Sequence, residues 1–139
     1  VGSEMCIRDR FTSLQEALDA YGITEPLVPK WLPEGFESRD VIISVDPDFI
    51  RIIAVYQYGE KEIKVTVRRY NSEDALERFS LEKQEGQQDT KYTKDGVVHS
   101  IAQNNAACTA SWTNGLNMAS IMGDVTEEEL EQMIDSIYT

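Results

Sequence analysis

The sequence predicts an α+β domain: an antiparallel sheet of about seven short strands in hairpin succession, with an N-terminal helix and a C-terminal amphipathic helix packed on it. Three observations carry this expectation. Short runs of alternating or continuous apolar residues are separated by two-residue turn signals such as Asp95-Gly96 and Asn114-Gly115, so strands are joined by hairpins rather than by crossover helices. Apolar residues recur at helical spacing only near the ends and in one short internal stretch. The chain has 139 residues, 41% of them hydrophobic and 27% charged, which suits one globular domain with a sizeable core and no internal repeat.

Residues 1–10, VGSEMCIRDR, show no apolar periodicity and read as a non-native, adapter-like or disordered leader that contributes nothing to the fold; the domain is assigned to 11–139. Residues 11–22 form a short helix. Thr12 or Ser13 caps it, Gln15 or Glu16 completes a capping box, Leu14, Ala17, Leu18 and Tyr21 share a face, and Gly22 closes it. Pro26 and Pro29 keep the next segment extended, and Trp31-Leu32-Pro33-Glu34-Gly35-Phe36 makes a turn with an aromatic residue on each side. A strand follows at 41–45, and Asp46-Pro47-Asp48 ends it. Residues 49–58 are apolar at both parities, the pattern of a central strand covered on both faces. Tyr58-Gly59-Glu60-Lys61 turns the chain back. Ile63, Val65 and Val67 then alternate with Lys64, Thr66 and Arg68, giving one buried and one wet face.

Asn71-Ser72 precedes a short helix around Ala75, Leu76 and Phe79, and the polar run 82–89 reads as a loop. Asp95-Gly96 turns strand 90–94 into strand 97–103, and Asn104-Asn105 is the next expected turn. Asn114-Gly115 suits a type I′ turn, in which both central residues have positive φ, between strands 106–113 and 116–122. Thr126 and Glu129 form a capping box, Val125 and Leu130 a hydrophobic staple, and Leu130, Met133, Ile134, Ile137 and Tyr138 line one face of the last helix.

Charge narrows the partners. The formal net charge is −12 and the sequence pI is ≈ 4.4, so the surface repels phosphate backbones and anionic lipid headgroups. Nucleic acid is not expected as a partner. Nor is direct membrane insertion by this domain, because no apolar run approaches the roughly 20 residues of a spanning helix. Two cysteines, Cys6 and Cys108, define no disulfide framework.

Leu32-Pro33-Glu34-Gly35-Phe36 after a proline-bearing segment, a tyrosine-rich hairpin, and the ending Trp112, Asn114-Gly115, Gly123, Glu128-Glu129-Leu130, Ile134 and Ile137 together resemble the bacterial domain of unknown function family 4367, from about residue 27 onward. The resemblance implies an extracytoplasmic C-terminal domain, as in lipoproteins and membrane-anchored, anti-sigma-factor-like proteins. It therefore implies a full-length chain that is membrane-anchored or secreted, with a sensing or binding role toward a protein or cell-envelope ligand. It carries over no catalytic residue.

Glycine-rich nucleotide loops, paired-cysteine zinc patterns and hydrolase elbows do not occur in the sequence, so no cofactor and no metal is expected. Asp46, Asp48 and the acidic run from Asp124 to Glu131 lack calcium-loop spacing and suit a turn and a helix N-terminus. Two groups remain. Lys64, Arg68 and Arg69 form a basic group that can steer an acidic partner, and charge protection of a strand face explains it equally well. His99 and Cys108 are a dyad candidate. With Asn104-Asn105 as the turn, Ile101 pairs with Cys108 and His99 with Ala110, so imidazole and thiol lie diagonally on one face. Neither an orienting carboxylate nor an oxyanion donor accompanies them, and Ala110 and Trp112 share that face, which suits a small core cysteine. The expected function is a non-catalytic extracytoplasmic binding or sensor domain. A small apolar-ligand carrier is the alternative, marked by an enclosed apolar cavity, and a Cys-His hydrolase is a distant third.

Overall fold

A computed structural model describes residues 5–8, 11–81, 90–104 and 107–139. Strands β1 (Met5–Arg8), β2 (Glu37–Val45), β3 (Phe49–Tyr58), β4 (Lys61–Tyr70), β5 (Thr90–Lys94), β6 (Val97–Asn104), β7 (Ala107–Asn114) and β8 (Asn117–Gly123) form one sheet, ordered β1-β2-β3-β4-β8-β7-β6-β5. Every adjacent pair is antiparallel. Helices α1 (Leu14–Ala20), α2 (Glu73–Leu81) and α3 (Glu127–Ile137) complete the α+β domain. The seven strands from β2 onward make two meanders, β2-β3-β4 and β5-β6-β7-β8. They join where β4 lies against β8, with Val65 opposite Ile121 and Val67 opposite Ala119.

Local chemistry explains most element ends. Ser13 caps α1 by accepting from Glu16 N–H, and Thr126 and Glu129 close a reciprocal capping box on α3 at 3.1 and 3.0 Å. Ser72 Oγ accepts from Ala75 N–H at the start of α2. Asp95 and Gly96 have φ of 55° and 78°, as a type I′ hairpin between β5 and β6 requires. At Gly35 close packing is the reason: a Cβ there would lie 3.0 Å from the Tyr58 ring, which also meets Phe36 edge-on at 5.8 Å. The polar run 82–89 lies outside the described residues.

Three expectations are corrected. Met5–Arg8 belong to the sheet as edge strand β1, with Ile7 opposite Ile43 and Cys6 opposite Ser44. An edge accepts any extended segment that can join its backbone ladder, so apolar periodicity is no guide there. The turn after β7 is centred on Gly115 and Leu116, because Asn114 pairs with Asn117. Gly115 alone takes the left-handed conformation there, with φ of 65°, and Asn117 Nδ2 donates to Asn114 C=O at 3.1 Å. That side-chain bond fixes the turn one residue further along, and the pairing register two residues away, from what Asn-Gly suggests. Finally, Asn104 pairs with Ala107 and Ile101 with Ala110, so the β6-β7 register differs by two residues from that of an Asn104-Asn105 turn.

The sheet has two unlike faces. On the inner face Ile43, Ile52, Ile63, Val65, Val67, Ile101, Cys108, Ala110 and Ile121 meet Leu14, Ala17 and Leu18 of α1, Ile23, Leu27, and Leu130, Met133, Ile134 and Ile137 of α3, all at most 2% exposed. On the outer face Phe49, Tyr70 and Ala75 form a second, smaller cluster with Leu76 and Met118 beneath α2. Central strand β3 is covered on both faces at Phe49 and Val55, and only half-covered at Arg51 and Ile53.

Candidate functional site

The remaining outer face of β4, β8, β7 and β6 holds an open trough of about 640 Å³. Its floor follows from register. Thr66 is opposite Ser120, Ser120 opposite Ser111 and Ser111 opposite Ser100, so four short hydroxyl side chains stand in one row across four strands. Next to Ser120 along β8, Met118 and Met122 stand two residues away on the same face, and Arg68 stands so beside Thr66 on β4; all of them line the trough. Short side chains between long ones leave a hollow. Val98 and Met122, 52% and 46% exposed, add apolar surface to it, and Lys91 Nζ donates to Ser100 Oγ at 2.8 Å at the far end of the row.

The basic group expected from sequence is divided by the pleat. Lys64 and Arg68 point to the outer face, and Arg69 to the other. Arg69 Nη1 donates to Glu25 Oε1 at 3.1 Å, and a second contact runs to Asn117 Oδ1 at 3.5 Å. Burial works to raise the Glu25 pKa, but the backbone, Asn117 and Arg69 bonds outweigh it and hold that carboxyl below its usual range. Arg69 is thus a structural tie between the 20s segment and the sheet. Lys64 stands 3.7 Å from Glu62. Arg68 lies over the Phe49 ring, 5.9 Å from its centroid, and its Nε has no hydrogen-bond partner among the described residues. It also sits directly opposite Arg51 on β3, a like-charge pair that destabilises a bare sheet.

His99 and Cys108 do not meet as a dyad. With the observed register Cys108 faces Gln103, and His99 packs on Trp112 with ring centroids 4.8 Å apart. Both imidazole nitrogens are already bonded. Tyr92 C=O can only accept, so Nδ1–H donates to it at 2.9 Å and Nε2 accepts from Tyr138 O–H at 2.8 Å. Tyr92 O–H in turn donates to Asp135 at 2.5 Å, which pushes the Tyr92 pKa up to about 12. His99 and Cys108 are both 0% exposed; burial lowers the imidazole's pKa and raises the thiol's. This network ties the β5-β6 hairpin to the end of α3. Sequence reasoning missed two of its parts, Tyr92 and Asp135, because nothing local links residues that far apart in the chain.

Ser136 was also missed. Its Oγ accepts from Lys30 N–H at 2.9 Å and Trp31 N–H at 3.1 Å while donating to Met133 C=O at 2.6 Å, and Lys30 Nζ donates to Ile137 and Thr139 carbonyls at the end of α3. Between helices and sheet the described apolar side chains form one continuous core cluster, while the trough opens on the outer face. Among the described residues no cluster of three metal-ligating side chains occurs, and no helix is long and apolar enough to cross a membrane.

No curated protein matches the chain. A family model does, over residues 26–137, from just ahead of the Leu32-Pro33-Glu34-Gly35-Phe36 turn through both meanders to the last turn of α3. The match spans most of the chain and all of the trough's lining, and the protein therefore belongs to the family described as domain of unknown function DUF4367.

Proposed function

We propose that this is a non-catalytic extracytoplasmic binding or sensor domain that takes a protein or cell-envelope ligand on the outer face of its sheet. The trough carries the reading: on a chain of net charge −12, Arg68 lines it, and Lys64 stands on the same face of β4 beyond Thr66. The compartment is what the family resemblance read from the sequence implies. The test uses immobilised domain and envelope extract, comparing the wild type with a Lys64→Glu, Arg68→Glu variant whose melting curve is checked first. The wild type is expected to capture a partner that the variant releases. Equal capture by both removes the outer face from the reading, and capture by neither overturns the binding role. A full-length chain found in the cytosolic fraction overturns the compartment.

A further inference from the structure

We propose that the ligand of this trough is a short acidic oligosaccharide, with its hydroxyl groups on the Thr66-Ser120-Ser111-Ser100 row and a carboxylate beside Arg68. The inference rests on the binding reading above and names its ligand class. Four observations lead to it.

First, all four strands lie inside the sheet, so their backbone N–H and C=O groups are consumed in the ladders and an extended peptide has no edge to pair with. What the face offers is side chains. Second, hydroxyl groups both donate and accept, which matches a polyol, and the row spans three inter-strand spacings, about 14 Å, the scale of a chain rather than a single small ion. Third, Met118 and Met122 flank Ser120 along β8, placing polarizable apolar surface where the C–H faces of sugar rings would rest. Fourth, charge selects an acidic sugar. Arg68 lines the trough on the same face as Thr66, and its guanidinium sets a cation at that end of the row for a carboxylate. Lys91, bonded to Ser100, places a further cation at the opposite end. With a net charge of −12 the chain as a whole repels anions, so an anion held here depends on these local cations.

The test is an amide NMR titration of the isotope-labelled chain with three probes: a short oligogalacturonate, the same oligosaccharide with its carboxyls reduced to alcohols, and oligoglutamate of similar charge. Oligogalacturonate is expected to shift the amides of Thr66, Ser100, Ser111 and Ser120 and leave those of α3 unmoved. Reducing the carboxyls, or changing Arg68→Gln, should each weaken binding about tenfold or more, as loss of a charge-assisted hydrogen bond implies. Ser111→Ala with Ser120→Ala should weaken the acidic and the reduced sugar alike, while retaining the wild-type melting temperature. Oligoglutamate binding as tightly as the acidic sugar overturns the ligand class, since charge alone would then suffice. So does the failure of both sugars to shift the row. Either failure, with Arg68-dependent capture from envelope extract retained, leaves the binding role standing; loss of that capture as well removes both.

Discussion

At the scale of single residues, the buried polar groups decide how the fold responds to pH. His99 is enclosed by Trp112, Tyr92 and Tyr138, and the charged groups nearest it from the packed elements are Asp135 on α3, Lys94, 3.7 Å from Asp135, and Asp95 in the β5-β6 turn. Burial lowers its pKa below the ordinary 6.5, only partly offset by the Tyr92 and Val97 carbonyls and Asp135. The unfolded chain therefore takes up a proton near pH 6.5 while the folded chain does not. Stability falls as pH drops through that point and levels off once the folded-state pKa is passed, with a slope of at most about 1.4 kcal/mol per pH unit. Urea midpoints measured from about pH 7.5 down to about pH 5.5 should decline in the wild type and much less in His99→Gln. A flat wild-type profile overturns this account of the site. The second residue-scale prediction concerns Ser136, which satisfies two backbone N–H groups of the 30–31 segment. Ser136→Ala orphans both and should cost about 1–3 kcal/mol in a urea melt, whereas a surface serine change costs almost nothing.

At the scale of elements, the sequence is most informative where a signal and its structural consequence lie within a few residues. The Thr126-Glu129 capping box, the apolar face of α3, the Ser13 cap and the Asp95-Gly96 hairpin are all present as expected. Removing the cap acceptor with Thr126→Ala should cost about 1 kcal/mol, while Ile134→Ala, which opens a cavity under α3, should cost about 2–5. Equal effects in denaturant melts would mean that α3 is not docked on the sheet as described. Legibility fails where a local preference competes with a contact from elsewhere. Asn114-Gly115 favours one turn register, yet Asn117 reaches back to Asn114, and a Cβ on Gly115 would lie 3.0 Å from Glu25, so the 20s segment also constrains the turn. The trough was hidden for the same reason. Thr66, Ser100, Ser111 and Ser120 are unremarkable one at a time, and only the pairing of four strands sets them in a row. The basic triplet was legible as residues but not as a site, because the pleat sends Arg69 to Glu25 and leaves Lys64 and Arg68 on the other side.

At the scale of the whole molecule, the decisive feature is the seam between the two meanders. Each meander forms from neighbouring hairpins, but the paired residues of β4 and β8 lie 48 (Arg69 and Asn117) to 60 (Ile63 and Gly123) positions apart, and joining them closes the longest loop in the sheet. The seam also builds the trough, since Thr66 and Arg68 come from one meander and the serines and methionines from the other. Gly123 is the point where it is tightest. Gly123 lies opposite Ile63 on β4 and Cys108 on β7, and a Cβ there would stand 2.8 Å from Ile63 Cγ1 and 2.9 Å from Glu62 C=O. The Ile63 side chain is fully buried and the carbonyl belongs to the backbone, so neither can move aside without shifting β4. Gly123→Ala should therefore destabilise the protein by about 1–3 kcal/mol, although alanine suits a strand better than glycine does. Because the core under α1 and α3 draws on both meanders, unfolding in urea should stay a single transition in this variant, with the midpoint lowered and the slope unchanged. Two separated transitions would show that the meanders fold as independent units, and an unchanged midpoint would show that β4 and β8 are not packed this closely at Gly123.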